Sequence, residues 1–199
     1  NAYFEFLVNN QKFTVISDTI DFVGNGKTDF SRTQFKNSPD NEKLYEYFRF
    51  TSEKGELMQD STLSKVDKSK IQQEISNYTK EFVVKNPNNP MSVVFLMQED
   101  VDMPKNLKEA KGIDSDRDRY YYYLNHYWDK VQFNSSCLLR TPLFHGKMQR
   151  YFDNIVPQHY DSISFYADLL VEKTRINPEV FKYVVNYLTF KWESGKQKR

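Results

Sequence analysis

The stretch Asn177-Pro178-Glu179-Val180-Phe181-Lys182-Tyr183-Val184-Val185-Asn186-Tyr187-Leu188 decides the fold class. A polar residue precedes a proline, and behind it Phe181, Val184, Val185, Leu188 and Trp192 return at helical spacing. Proline suits the first helical position because the N–H it lacks would find no acceptor within the helix. The same device stands at Ser38-Pro39, Asn89-Pro90 and Thr141-Pro142, so four helix starts are marked along the chain.

Apolar faces fill the intervals between these starts. Leu44, Tyr47, Phe48 and Thr51 share one face, and Ile71, Ile75, Tyr78 and Phe82 share another. These two helices are expected to pair antiparallel around a turn at Ser61 to Ser64. Val93, Val94 and Leu96 predict a short buried helix, followed by a polar loop from Met103 to Ser115. Tyr120, Leu124, Tyr127, Trp128 and Val131 form a broad stripe, whose spacing returns in Phe144, Met148, Tyr151, Phe152 and Ile155.

The last two helices are apolar on more than one side. Ile163, Tyr166, Ala167, Leu170 and Val171 make one face, with Phe165 and Leu169 nearly opposite. In the final helix Val180, Tyr183, Tyr187 and Phe190 complement the first face. Such helices are either central to a bundle or keep one face for a partner. No fixed-period repeat accompanies them, so a non-repetitive bundle is expected rather than a solenoid.

The N-terminal part reads differently. Phe4, Phe6 and Val8 alternate with other residues, Asn9-Asn10 offers a turn, and Phe13 and Val15 alternate again. Ile20 to Val23 suggests a third short strand before Gly24-Asn25-Gly26. The fold class expected is therefore mainly α, a helical bundle with a small N-terminal β-hairpin or meander. Residues 1–36 read as a short β segment ending a preceding β domain, and 37–199 as the helical domain. The chain, opening abruptly inside Tyr3-Phe4-Glu5-Phe6, reads as a piece of something longer.

Composition narrows the function. A 39% hydrophobic and 28% charged chain of 199 residues can build a substantial core. The net charge of +1 gives no field for nucleic acid or an anionic membrane, and no apolar run is long enough to span a bilayer. The 14 Tyr and 16 Phe are expected to fill gaps between helices. Cys137 is the only cysteine, which excludes an internal disulfide and any Cys-x-x-Cys pair in these residues. It is expected to be a small buried hydrophobe.

No catalytic or cofactor motif emerges. Asp114, Asp116 and Asp118 have the first spacing of a calcium loop, but Arg119 stands where Gly is needed and Asn125 where Glu is needed. His126, His145 and His159 form no His-x-x-x-His pair, and Gly24-Asn25-Gly26-Lys27-Thr28 lacks P-loop spacing. No catalytic group, metal or cofactor is therefore assigned. One polar-aromatic cluster is a candidate partner surface: Tyr122 and His126, four residues apart opposite the Tyr120 stripe, with Arg119 and Asp129 nearby.

Three motifs carry a family resemblance. They are Leu138-Leu139-Arg140-Thr141-Pro142-Leu143-Phe144-His145 after Tyr127-Trp128-Asp129, Val156-Pro157-Gln158-His159-Tyr160-Asp161-Ser162-Ile163, and Asn177-Pro178-Glu179-Val180-Phe181-Lys182-Tyr183. Together they resemble an uncharacterised helical domain of Gram-negative envelope proteins of the TlpA/ResA thioredoxin-like type. That domain lies between an N-terminal β domain and a C-terminal thioredoxin-like domain. The resemblance runs from about Asn37 to Glu193 and is strongest after Tyr120. It implies a periplasmic or outer-envelope location and a non-catalytic accessory role, positioning or recruiting a protein substrate for a tethered thioredoxin-like domain. The alternative is a free-standing peptide- or glycan-binding module that uses surface aromatics.

Overall fold

The computed structural model describes residues 7, 12–17 and 33–193. Among them are eight α-helices and one two-stranded antiparallel sheet, so the fold is mainly α. Phe4 to Val8, apart from Leu7, lies outside the described residues, as do the Ile20 to Val23 strand, the Gly24 to Thr28 turn and the tail after Glu193. The chain divides into two compact units, Asn1–Ser92 and Val93–Arg199. The border expected after residue 36 falls inside the first of these.

In the first unit, strand β1 (Thr14–Ile16) pairs antiparallel with β2 (Gln34–Lys36), with Val15 opposite Phe35. Asn37 then takes a positive φ of 62°, a conformation Asn tolerates better than most residues. Helix α1 (Pro39–Met58) starts at the marked proline, and α2 (Lys65–Lys85) begins behind Ser64, whose Oγ accepts from the Asp67 N–H. The pair is antiparallel: Lys43 faces Phe82, Tyr47 and Phe50 face Tyr78, and Lys54 bridges to Glu74 at 2.6 Å. Rising numbers on one helix meet falling numbers on the other, as the turn at Ser61 to Ser64 predicts.

Tyr45, fully buried, stands 4.6 Å from Phe35 by ring centres and ties β2 to α1. Asn41, also fully buried, satisfies its amide on the Leu7 backbone and on Ser38 Oγ.

Helix α3 (Pro90–Gln98) leads into the second unit. There follow α4 (Lys105–Glu109), α5 (Ile113–His126), a 3₁₀ turn (Ser136–Arg140), α6 (Pro142–Arg150), α7 (Tyr160–Thr174) and α8 (Pro178–Glu193). All four marked prolines open a helix. The loop expected from Met103 to Ser115 instead contains α4 and the first turn of α5, and α5 ends at His126, before Trp128. Helix α6 runs directly into a π turn at Tyr151–Ile155, whose wider winding lets Tyr151, Phe152 and Ile155 all face inward.

The core of this unit gathers Leu124, Tyr127, Trp128, Phe144, Met148, Tyr151, Phe152, Leu170, Val180 and Val184. The rings interlock: Trp128 meets Tyr127 and Tyr151 edge-on at 5.0 Å each. Cys137 is only half-buried and packs against this core from the 3₁₀ turn. Helix α7 turns Leu170 inward but leaves Phe165 57% and Leu169 41% exposed. Of the two alternatives for its second apolar side, the described residues leave that side open.

Candidate functional site

The loop after α3, the last turns of α5 and the turn that follows them enclose an open pocket of about 210 Å³. Its walls are Glu99, Asp100, Val101 and Asp102 on one side, and Tyr122, His126, Tyr127, Asp129 and Lys130 on the other. Three of the four residues singled out as a partner surface, Tyr122, His126 and Asp129, therefore lie together in one pocket.

Helical spacing explains the pairing on α5. Residues four apart share a face, and the Tyr122 and His126 rings stack at 4.0 Å with 26° between their planes. The helix stops at His126, and the turn brings Asp129 back so that its Oδ2 lies 2.5 Å from His126 Nδ1. Tyr122 OH donates to the Asp102 carbonyl at 3.3 Å. Asp129 fixes the imidazole, and the stacked tyrosine stiffens it from one face.

Arg119 takes a different place. Its Nη1 donates to the Leu107 and Ala110 carbonyls at 3.0 and 2.6 Å, and its Nη2 pairs with Asp116. It fastens α4 and the residues after it to α5 and does not line the pocket.

The electrostatics are one-sided. Four carboxylates (Glu99, Asp100, Asp102 and Asp129) face one lining ammonium, that of Lys130. Lys130 Nζ sits 2.7 Å from Glu99 and 2.9 Å from Asp102. Burial opposes its charge, but these two partners outweigh burial and leave its pKa raised. Behind the wall, burial pushes the Lys147 ammonium down to about 8, with Asp100 opposing the shift. Burial also pushes the Tyr127 hydroxyl up to about 12.

Chemically, the pocket offers carboxylate and carbonyl acceptors beside flat aromatic faces. None of the residues lining it is Ser, Thr or Cys, so the His126–Asp129 pair has no aliphatic hydroxyl or thiol beside it there. The other residues weighed as chemistry stand elsewhere. His145 pairs with Tyr183 at 2.9 Å, Arg140 with Glu179 at 3.8 Å, and His159 precedes the first turn of α7. Asp114 and Asp116 lie in the first turn of α5, where acids suit the positive helix end, and each pairs with an arginine three residues on. Among the described residues no group of three His, Cys, Asp or Glu is placed to hold a metal ion.

The wall formed by Glu99 to Asp102 went unread in the sequence. Glu99-Asp100-Val101-Asp102 is visibly acidic, but only the tertiary path sets it against a helix that begins at Ile113. Comparison of the chain with protein-family models, with curated proteins and with solved structures finds no match. The resemblance to the envelope-protein helical domain thus stands on the three motifs alone.

Proposed function

We propose that this chain is a non-catalytic accessory domain of a thioredoxin-like protein of the cell envelope, which holds or recruits a protein substrate for the tethered redox domain. One observation supports the recruiting role: the stacked Tyr122–His126 pair stands half-exposed at a pocket rimmed by carboxylates. Rigid aromatic anchors next to polar acceptors are what protein-recognition surfaces favour. The three motifs support the tether and the envelope location. A second reading, a free-standing peptide- or glycan-binding module, draws on the Tyr122, His126 and Tyr127 rings lining the pocket itself.

The test uses the full product of the native gene. A Cys-x-x-Cys segment in the same reading frame is expected, and the product should reduce disulfides of a protein substrate. Replacing Tyr122 and His126 by Ala should raise KM about tenfold and leave kcat in place, the mark of lost binding alone. A gene product without any Cys-x-x-Cys removes the tether. Titration of the chain with peptides and with oligosaccharides then decides for or against the second reading.

A further inference from the structure

We infer that residues 101–111 form a strap that opens as a unit and gates the pocket, with Arg119 as its fastener. From Gln98 to Tyr123 no residue is buried, whereas Met97 and Leu124 on either side are 1% and 0% exposed. The strap's apolar hold is limited to half-buried residues such as Val101, Met103 and Leu107, so opening it costs less than opening the buried helices. Its internal bonds are its own: the Leu107 and Lys108 N–H groups donate to the Pro104 carbonyl and Ala110 N–H to Asn106. A five-residue helix cannot hold these bonds by itself, so they break once the strap lifts, and its amides then exchange.

Polar contacts reach across to hold it down. Arg119 donates to the Leu107 and Ala110 carbonyls, Tyr122 to the Asp102 carbonyl, and Lys130 pairs with Asp102. The ends suit a hinged segment. At one end Lys147 Nζ pins the Met97 carbonyl at 2.8 Å. At the other, Gly112 takes φ +106°, a conformation side chains rarely adopt, just before α5 begins. Val101 and Asp102 line the pocket opposite Tyr122 and His126, so lifting the strap moves that wall away from the stacked rings.

Arg119 is the decisive contact because one guanidinium satisfies two carbonyls at once. The Lys130–Asp102 ion pair is partly exposed and weakens as salt rises.

Hydrogen exchange on the whole chain tests the strap, read together with the rate at which diethyl pyrocarbonate modifies His126. The amides of Leu107, Lys108 and Ala110 should exchange far faster than those within α6 and α8, and faster again in 1 M salt. In Arg119→Ala they should speed up about tenfold or more, with α6 and α8 unchanged and His126 modified faster. Tyr122→Phe, which removes one weaker bond, should shift them less. Strap amides as protected as those of α8 would overturn the inference, and so would an Arg119→Ala rate equal to that of the native chain. Acceleration across α6 and α8 alike would make Arg119 a fastener of the whole unit. Faster strap exchange with unchanged His126 reactivity would show a strap that opens without gating.

Discussion

The Lys147 ammonium lies 4.5 Å over the centre of the Tyr127 ring. It also donates to the Met97 carbonyl, so one cation fastens the end of α3 to the first residue beyond α5. Burial opposes that charge and brings its pKa from 10.5 to about 8. Below pH 8 the lysine is protonated in both folded and unfolded chains, and the folded state bears the cost of burying it. Between about 8 and 10.5 the unfolded chain holds the extra proton, so Lys147 adds stability as pH rises through that window. Tyr127 acts in the opposite sense: its pKa is raised from 10.0 to about 12, so its contribution is intact below 10 and lost as pH climbs toward 12. Lys147→Met should abolish the rise between pH 8 and 10, a loss of about 1–2 kcal/mol after discounting for the partly exposed side chain. Urea unfolding of both chains across pH 7 to 11 measures it, and parallel curves would sink the assignment.

Asn177 and Thr141 both precede a helix-opening proline, yet they do different work. Asn177 Oδ1 accepts from the Glu179 and Val180 N–H groups, and its Nδ2 donates to the Asn134 carbonyl and Ser136 Oγ. The Thr141 side chain makes no capping bond. Asn177→Ala should therefore cost about 2 kcal/mol, combining a lost cap with a carbonyl left short of its partner. Thr141→Ala should cost under about 0.5 kcal/mol. Equal losses in urea unfolding would refute the distinction.

That contrast also marks how far the sequence could be read. A polar residue before proline is a local signal, so all four such helix starts were legible, as was the α1–α2 hairpin. What the cap does with its side chain depends on neighbours distant in sequence, as with Asn177 and Asn134. Strand β2 offers only Phe35 as an apolar residue in three, and α4 is nearly all polar, so neither announces itself. Tyr45 was missed because it sits beside the Leu44–Phe48 face, although β2 covers it completely. Of the candidate site, the α5 half was legible because Tyr122 and His126 share a helix face. The acidic half depends on the course of the chain between α3 and α5. Arg119, grouped with the cluster from sequence, instead reaches two main-chain carbonyls and Asp116, and main-chain partners leave no trace in sequence.

Phe144 and Phe165 make a matched test of the second unit's core. Phe144 is 1% exposed and packs edge-on against Trp128 and Phe133, whereas Phe165 projects outward from α7. Phe144→Ala should cost about 3–5 kcal/mol, the range for emptying a buried aromatic site. Phe165→Ala should change stability by under about 1 kcal/mol. A large loss at Phe165 in the isolated chain would mean that the outer side of α7 is covered after all.

The Tyr122–His126 stack should be dispensable for folding if its purpose lies outside the chain. Its bonds go to the Asp102 carbonyl and to Asp129, both in exposed settings where a polar contact contributes little. Neither ring belongs to the buried cluster around Trp128. Replacing both residues by Ala should therefore keep the helical circular dichroism and lower stability by no more than about 1 kcal/mol. Loss of the helical signal, or of several kcal/mol in urea unfolding, would show that the stack is packing between α5 and the strap. The partner-binding role would then lose its support, because a surface needed to hold its own domain together cannot be offered to another protein without cost.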